Sequence, residues 1–244
     1  MEVTATMAMR EAFGAASDLD LDFAAPRPRL VAALLAGSGD AEAWRRRPVG
    51  ERVAALLHFC RAHLETNELE LAARCGSAEC GETFGFALPI DELAALPTLR
   101  EPLRVTLPEG RAVTLRAPLG VDLERWRAAR PASREEAARI MLADLVVDGR
   151  AEPQDEAAIA EAMSAADPLT ALTVAAACPA CGRGQSVAVD VEGLALAHFA
   201  RRRQTLLRDI HRLAAHYGWT EAQCLAVPPA RRAAYLALIE GEAS

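Results

Sequence analysis

Leu69-Glu70-Leu71-Ala72-Ala73-Arg74-Cys75-Gly76-Ser77-Ala78-Glu79-Cys80-Gly81-Glu82-Thr83-Phe84-Gly85-Phe86-Ala87-Leu88 decides how the chain is to be read. Leu69, Leu71 and Ala73 alternate with Glu68, Glu70 and Ala72, a period of two that predicts a strand. Cys75 and Cys80 bracket a turn, and Phe84, Phe86 and Leu88 then resume the alternation. The pattern is strand, cysteine turn, strand. It returns once: Leu172, Val174 and Ala176 lead into Cys178-Pro179-Ala180-Cys181-Gly182, and Val187, Val189 and Val191 lead out.

Two such turns suit one metal ion. Zinc takes four soft donors at tetrahedral corners, and a turn with two to four residues between cysteines can aim both sulfurs at one point. Gly81 and Gly182 follow the second cysteine of each pair, where a backbone conformation that other residues resist is useful. The expectation is a zinc-ribbon-like antiparallel sheet holding Zn2+ on Cys75, Cys80, Cys178 and Cys181. Four thiolates leave no coordination position for water, so this zinc is structural and its binding contributes to folding. The competing readings are four buried thiols, since cysteine packs well as a small hydrophobe, and a redox pair at Cys178 and Cys181, which lacks the βαβ surroundings such a pair needs. Cys60 and Cys224 stand apart and read as core.

Around these turns the periodicity changes. Residues 1–28 mix Ala, Gly, Asp and Pro and read as weakly ordered. A helix is expected over 29–36, broken by Gly37-Ser38-Gly39. Pro48 introduces a second over about 49–65, with Val53, Leu56, Leu57, Cys60 and Leu64 on one face. Residues 29–66 thus form N-terminal helices, and residues 67–192 form the zinc-ribbon-like unit. Its two halves are separated by an insertion of about 97–168, which holds a hairpin turning at Pro108-Glu109-Gly110 and then a helical stretch over 120–166. Ser133 and Glu136 are spaced as a capping box. Residues 193–244 are helical, with Leu196, Phe199, Leu206, Ile210, Leu213 and Tyr217 on one side, a capping box at Thr220 and Gln223, and a restart at Pro228-Pro229. The fold class is α+β.

Composition narrows the functions. Hydrophobic residues make up 52% and charged residues 25%, enough apolar matter for a sizeable core. The net charge of -7 argues against general attraction to phosphate. All 27 positive residues are arginine, a bias that with the abundant alanine fits a GC-rich genome better than a binding signature. Neither a secretory signal nor an apolar run of membrane-spanning length is visible, so a cytoplasmic protein with reduced cysteines is expected. No nucleophile turn, P-loop or dinucleotide fingerprint occurs. His58, His63, His198, His211 and His216 lack metal-binding spacing, and Asp155-Glu156 reads as solvated charge. No catalytic group emerges, and the protein reads as no enzyme. A zinc hydrolase would need a metal with only three protein ligands. A zinc-ribbon regulator binding nucleic acid is the main alternative, opposed by the acidic neighbours Glu79, Glu82, Asp190 and Glu192. Tyr217, Trp219, Tyr235, Arg231 and Arg232 gather the side chains that favour protein interfaces; the competing reading is that Trp219 and Tyr235 staple the last two helices together.

Several segments in combination resemble a known family. They are the first cysteine pair with its following strand, Leu115-Arg116-Ala117-Pro118-Leu119-Gly120-Val121-Asp122, the second pair, Leu213-Ala214-Ala215-His216-Tyr217-Gly218-Trp219-Thr220-Glu221, and Pro228-Pro229-Ala230-Arg231-Arg232-Ala233-Ala234-Tyr235-Leu236. Together they resemble the baseplate hub assembly chaperones, or base plate proteins, of T-even-like contractile phage tails and related contractile injection systems. The likeness spans roughly residues 50–240. Leu119 stands where the pattern has threonine, and Gly218 where it has histidine. The resemblance implies a cytoplasmic, non-enzymatic assembly factor whose partners are baseplate, hub or spike proteins, with neither nucleic acid nor membrane as a partner.

Overall fold

The helical opening follows from apolar spacing. In the computed structural model, which describes residues 25–36, 40–63 and 67–242, Arg27–Leu35 forms α1, Ala41–Arg45 forms α2 and Val49–His63 forms α3. Helix α1 starts two residues earlier than the sequence predicts, because Pro28 fits the first turn, where its missing N–H costs nothing. Helix α2 is a further short turn, capped by the Asp40 carboxylate accepting from the Ala43 N–H. On α3, Val53, Leu56, Leu57 and Cys60 are buried as expected. The weakly ordered stretch expected over 1–28 lies, up to residue 24, outside the described residues, as do the Gly37-Ser38-Gly39 break and Leu64.

Three small antiparallel sheets follow. Strands β1 (Glu68–Arg74) and β2 (Thr83–Pro89) pair from Glu68↔Pro89 to Arg74↔Thr83. A short helix, α4 (Ile90–Ala94), leads to β3 (Leu103–Thr106) and β4 (Ala112–Leu115), the hairpin the sequence predicts. The expected helical stretch over 120–166 is interrupted. Helices α5 (Gly120–Ala129) and α6 (Arg134–Leu145) are followed by a strand, β5 (Val146–Asp148), which adds to β4, and only then by α7 (Glu156–Ala166). Val146, inside the expected helical stretch, begins that strand, and Leu145 just before it is buried in the core of Val105, Leu107, Val113, Leu115, Trp126 and Ile159. Finally β6 (Leu172–Ala177) and β7 (Gly184–Val189) pair from Leu172↔Val189 to Ala177↔Gly184. The two cysteine-bearing hairpins are separate two-stranded ladders, with no strand of one hydrogen-bonded to a strand of the other.

Helix α8 (Val191–Tyr217) contains the point, between Leu196 and Ala197, at which the chain divides into two compact units. In the second unit, α9 (Glu221–Ala226) begins at the expected capping box, where the Thr220 hydroxyl accepts from the Gln223 N–H. Helix α10 (Pro229–Glu242) follows, and Ile210, Leu213, Cys224 and Leu236 form the core. No described helix is long and apolar enough to cross a membrane.

Candidate metal centre

Each cysteine pair sits in a turn shaped by its own backbone. The Cys75 N–H donates to the Glu82 carbonyl at 2.7 Å, and the Cys80 and Gly81 N–H groups both donate to the Ser77 carbonyl. Gly81 takes φ +58°, the left-handed region that glycine enters without strain. The second turn is closed by Cys178 N–H to Arg183 O at 3.0 Å and Gly182 N–H to Cys178 O at 2.8 Å, with Gly182 at φ +73°. Both glycines therefore have the role their position suggests.

The turns bring all four sulfurs together. The Sγ atoms of Cys75, Cys80, Cys178 and Cys181 lie within 4.8 Å of one another. Cys75 and Cys181 approach to 3.6 Å across the hairpins, and Cys80 and Cys178 to 3.8 Å. A tetrahedron with metal–sulfur bonds of about 2.3 Å has edges of about 3.8 Å, so these two separations are compatible with a metal site. They are far too long for disulfides, and all six cysteines are free. Among the described residues no histidine or carboxylate joins the cluster.

The surroundings are graded. Cys75 and Cys178 are buried, Cys80 is half-buried and Cys181 is exposed. Ala73, Phe84, Phe86, Ala176 and Val187 pack about the inner sulfurs. Burial opposes a thiolate at Cys178, but the N–H groups of Cys181 and Ala180 together with the Cys75 and Cys181 sulfurs outweigh it and draw the thiol down to about 7. At Cys80 the Glu82 N–H favours the thiolate, yet burial and the three neighbouring sulfurs together push it up to about 11. A divalent cation would favour the thiolate at Cys80, which burial and the neighbouring sulfurs oppose.

One residue of this centre is absent from the sequence reading. The Gln185 side chain accepts from the Gly76 N–H at 2.8 Å and donates to the Arg74 carbonyl at 3.0 Å, clasping the first cysteine turn from the second hairpin. Its signal was parity: Gln185 shares the inward face of β7 with Val187 and Val189, an odd place for a polar side chain.

The other singled-out residues lie elsewhere. Cys60 and Cys224 are fully buried, as expected of core residues, and burial pushes the Cys60 thiol up to about 12. Tyr217, Trp219 and Tyr235 form one aromatic cluster, with centroids 4.9, 5.6 and 5.2 Å apart, packed on the core of the second unit. Arg231 is exposed and donates to the Tyr235 hydroxyl at 3.4 Å, while Arg232 donates to the carbonyls of Cys224 and Leu225 at the end of α9. Asp155 is not solvated charge. It is fully buried, accepts a bidentate pair from Arg111 at 2.8 and 3.1 Å, and receives the Glu152 N–H, which holds its carboxyl below the usual range. Asp122 repeats that arrangement at the start of α5, with Arg116 bidentate at 2.6 and 3.1 Å and the Leu119 N–H at 2.8 Å.

No family model matches the chain, and no curated protein and no solved structure matches it either.

Proposed function

We propose that the four cysteines hold one structural zinc ion, that the two hairpins around it act as a zinc ribbon, and that the protein is a non-enzymatic assembly factor for the baseplate or hub of a contractile particle. The convergence of the four sulfurs carries the metal part of this reading. Four thiolates select zinc among abundant divalent ions and complete its coordination, leaving the ion to tie segments together. The assembly role rests on the sequence resemblance, joined by the absence of a nucleophile turn, P-loop or dinucleotide fingerprint from the sequence.

Two measurements test it. Elemental analysis of protein purified without added metal should give one zinc per chain, and cobalt substitution should give the intense visible bands of tetrahedral thiolate coordination. Less than stoichiometric metal after reconstitution would remove the ribbon. Affinity capture from the native host should recover baseplate, hub or spike components. Particles assembling normally without the gene, with no such component captured, would remove the assembly role. Salt-sensitive binding to DNA or RNA would instead favour the regulator reading.

A further inference from the structure

The four clustered sulfurs differ in what can reach them. Cys75 is 4% and Cys178 1% exposed, and Cys80 is half-buried. Cys181 alone is open to solvent, in a turn whose residues 179–184 are all exposed. Gly182 and Gly184 beside it have empty space where a side chain would stand. A small solute therefore meets Cys181 before any other sulfur of the centre.

Cys181 also has a shielded partner in the other hairpin. The Cys75 Sγ lies 3.6 Å away, so closing to the roughly 2.05 Å of a disulfide takes a shift of about 1.5 Å. Cys80 and Cys178 repeat the arrangement at 3.8 Å, again across the hairpins. An open sulfur backed by a second one is how peroxide-sensing cysteines are built: the first is oxidised and the second resolves it. Metal ligation keeps Cys181 as the thiolate, which is the nucleophilic form.

We infer that the centre is a clasp convertible by hydroperoxides, in which Cys181 is oxidised, Cys75 resolves it, and a covalent tie between the hairpins replaces the metal tie. The inference rests on the zinc reading proposed above. The Cys181 thiolate attacks one oxygen of hydrogen peroxide. An S–O bond forms, the O–O bond breaks, and Cys181 becomes a sulfenic acid as hydroxide departs. The Cys75 thiolate then attacks the Cys181 sulfur, forming the S–S bond and expelling a second hydroxide. Two electrons pass from the two sulfurs to the peroxide, which ends as two waters after taking two protons from solvent. The disulfide withdraws two of the four donors that tetrahedral zinc requires, so the ion is released. The hairpins stay joined, because the new bond links residues 106 positions apart and restrains the unfolded chain as the metal tie does. Cys60 and Cys224, both fully buried in other parts of the chain, stay reduced.

The test uses full-length protein purified under reductant, with zinc measured by elemental analysis before oxidation. One equivalent of hydrogen peroxide is added, and released zinc is read with the dye 4-(2-pyridylazo)resorcinol. Free thiols are then blocked with iodoacetamide in denaturant, and disulfides are reduced and labelled with N-ethylmaleimide. Tandem mass spectrometry should place maleimide on Cys75 and Cys181 and iodoacetamide on the other four cysteines. Zinc release should rise in step with that labelling, and dithiothreitol with added zinc should reverse it. The oxidised protein should melt above the reduced, chelator-treated protein. Cys181→Ser should leave Cys75 reduced at the same peroxide dose, and the parent protein's labelling decides the matter should this variant fail to fold. No zinc before oxidation would remove the zinc reading and this inference with it. Zinc present but retained, maleimide on Cys178 with Cys181 or on any other pair, or an oxidised protein melting no higher than the chelated one would overturn this inference alone.

Discussion

Asp167 and Asp122 show opposite electrostatics in one molecule. Asp167 is 1% exposed and lies against Gly50 in the first turn of α3, where a methyl group on Gly50 would collide with its carboxylate. The N–H groups of Leu99 and Gly50 approach it, but neither makes a well-aligned hydrogen bond, and burial pushes the acid up to about 6. An unfolded aspartate titrates near 3.9. Between those values the folded chain holds the extra proton, so stability from this site is full below about pH 4 and falls as pH rises through 6. Asp167→Asn should therefore flatten that fall and raise stability at pH 7 by about 1–3 kcal/mol, measured by urea unfolding at pH 4.5 and 7. Asp122 works the other way. Burial opposes its charge, but Arg116 and the Leu119 N–H more than offset this and hold the acid low. Its contribution is full above the ordinary carboxylate range and is lost as pH falls below it. Arg116→Met should cost about 3 kcal/mol at pH 7 by the same unfolding assay, because it leaves that buried carboxylate short of its main counter-charge. None of these pairings was legible in the sequence. Asp155 looked solvated because sequence spacing says nothing of Arg111, which reaches it from the turn before β4.

At the scale of elements, the cysteine hairpins were legible because alternation, paired cysteines and following glycines all agree. What alternation could not tell is which strands share a ladder, since hydrogen bonding between hairpins depends on tertiary placement. The result is two ladders closed by side chains. Gly182→Val, forced to φ +73°, should destabilise the second turn by about 1–2 kcal/mol and weaken metal retention against a competing chelator. Gln185→Ala removes both arms of the clasp and should cost about 1 kcal/mol, with faster hydrogen exchange at the Gly76 amide. Strand β5 was missed for a related reason. Three residues are too few to display a period, and Val146 and Val147 continue the apolar run of the preceding helix.

On the scale of the whole molecule, a bound ion would close one very long loop, since Cys80 and Cys178 are 98 positions apart. Cross-linking a loop of about 100 residues restricts the unfolded chain by about 4–5 kcal/mol in the chain-entropy model. Stripping metal with a strong chelator should lower the thermal midpoint of the first unit by several degrees, and Cys178→Ser should reproduce the loss without chelator. An unchanged midpoint in both cases would mean that the sulfur cluster carries no metal-dependent stability. The same separation has a consequence during synthesis on the ribosome. At about 5–20 residues per second, the first cysteine pair emerges roughly 5–20 s before the second. Throughout that interval Cys75 and Cys80 can offer an ion only half a coordination shell, and the nascent chain is exposed to wrong thiol partners. For a chain that folds around an ion, the order in which the gene is read would make timely metal delivery a determinant of how much native protein each round of translation yields.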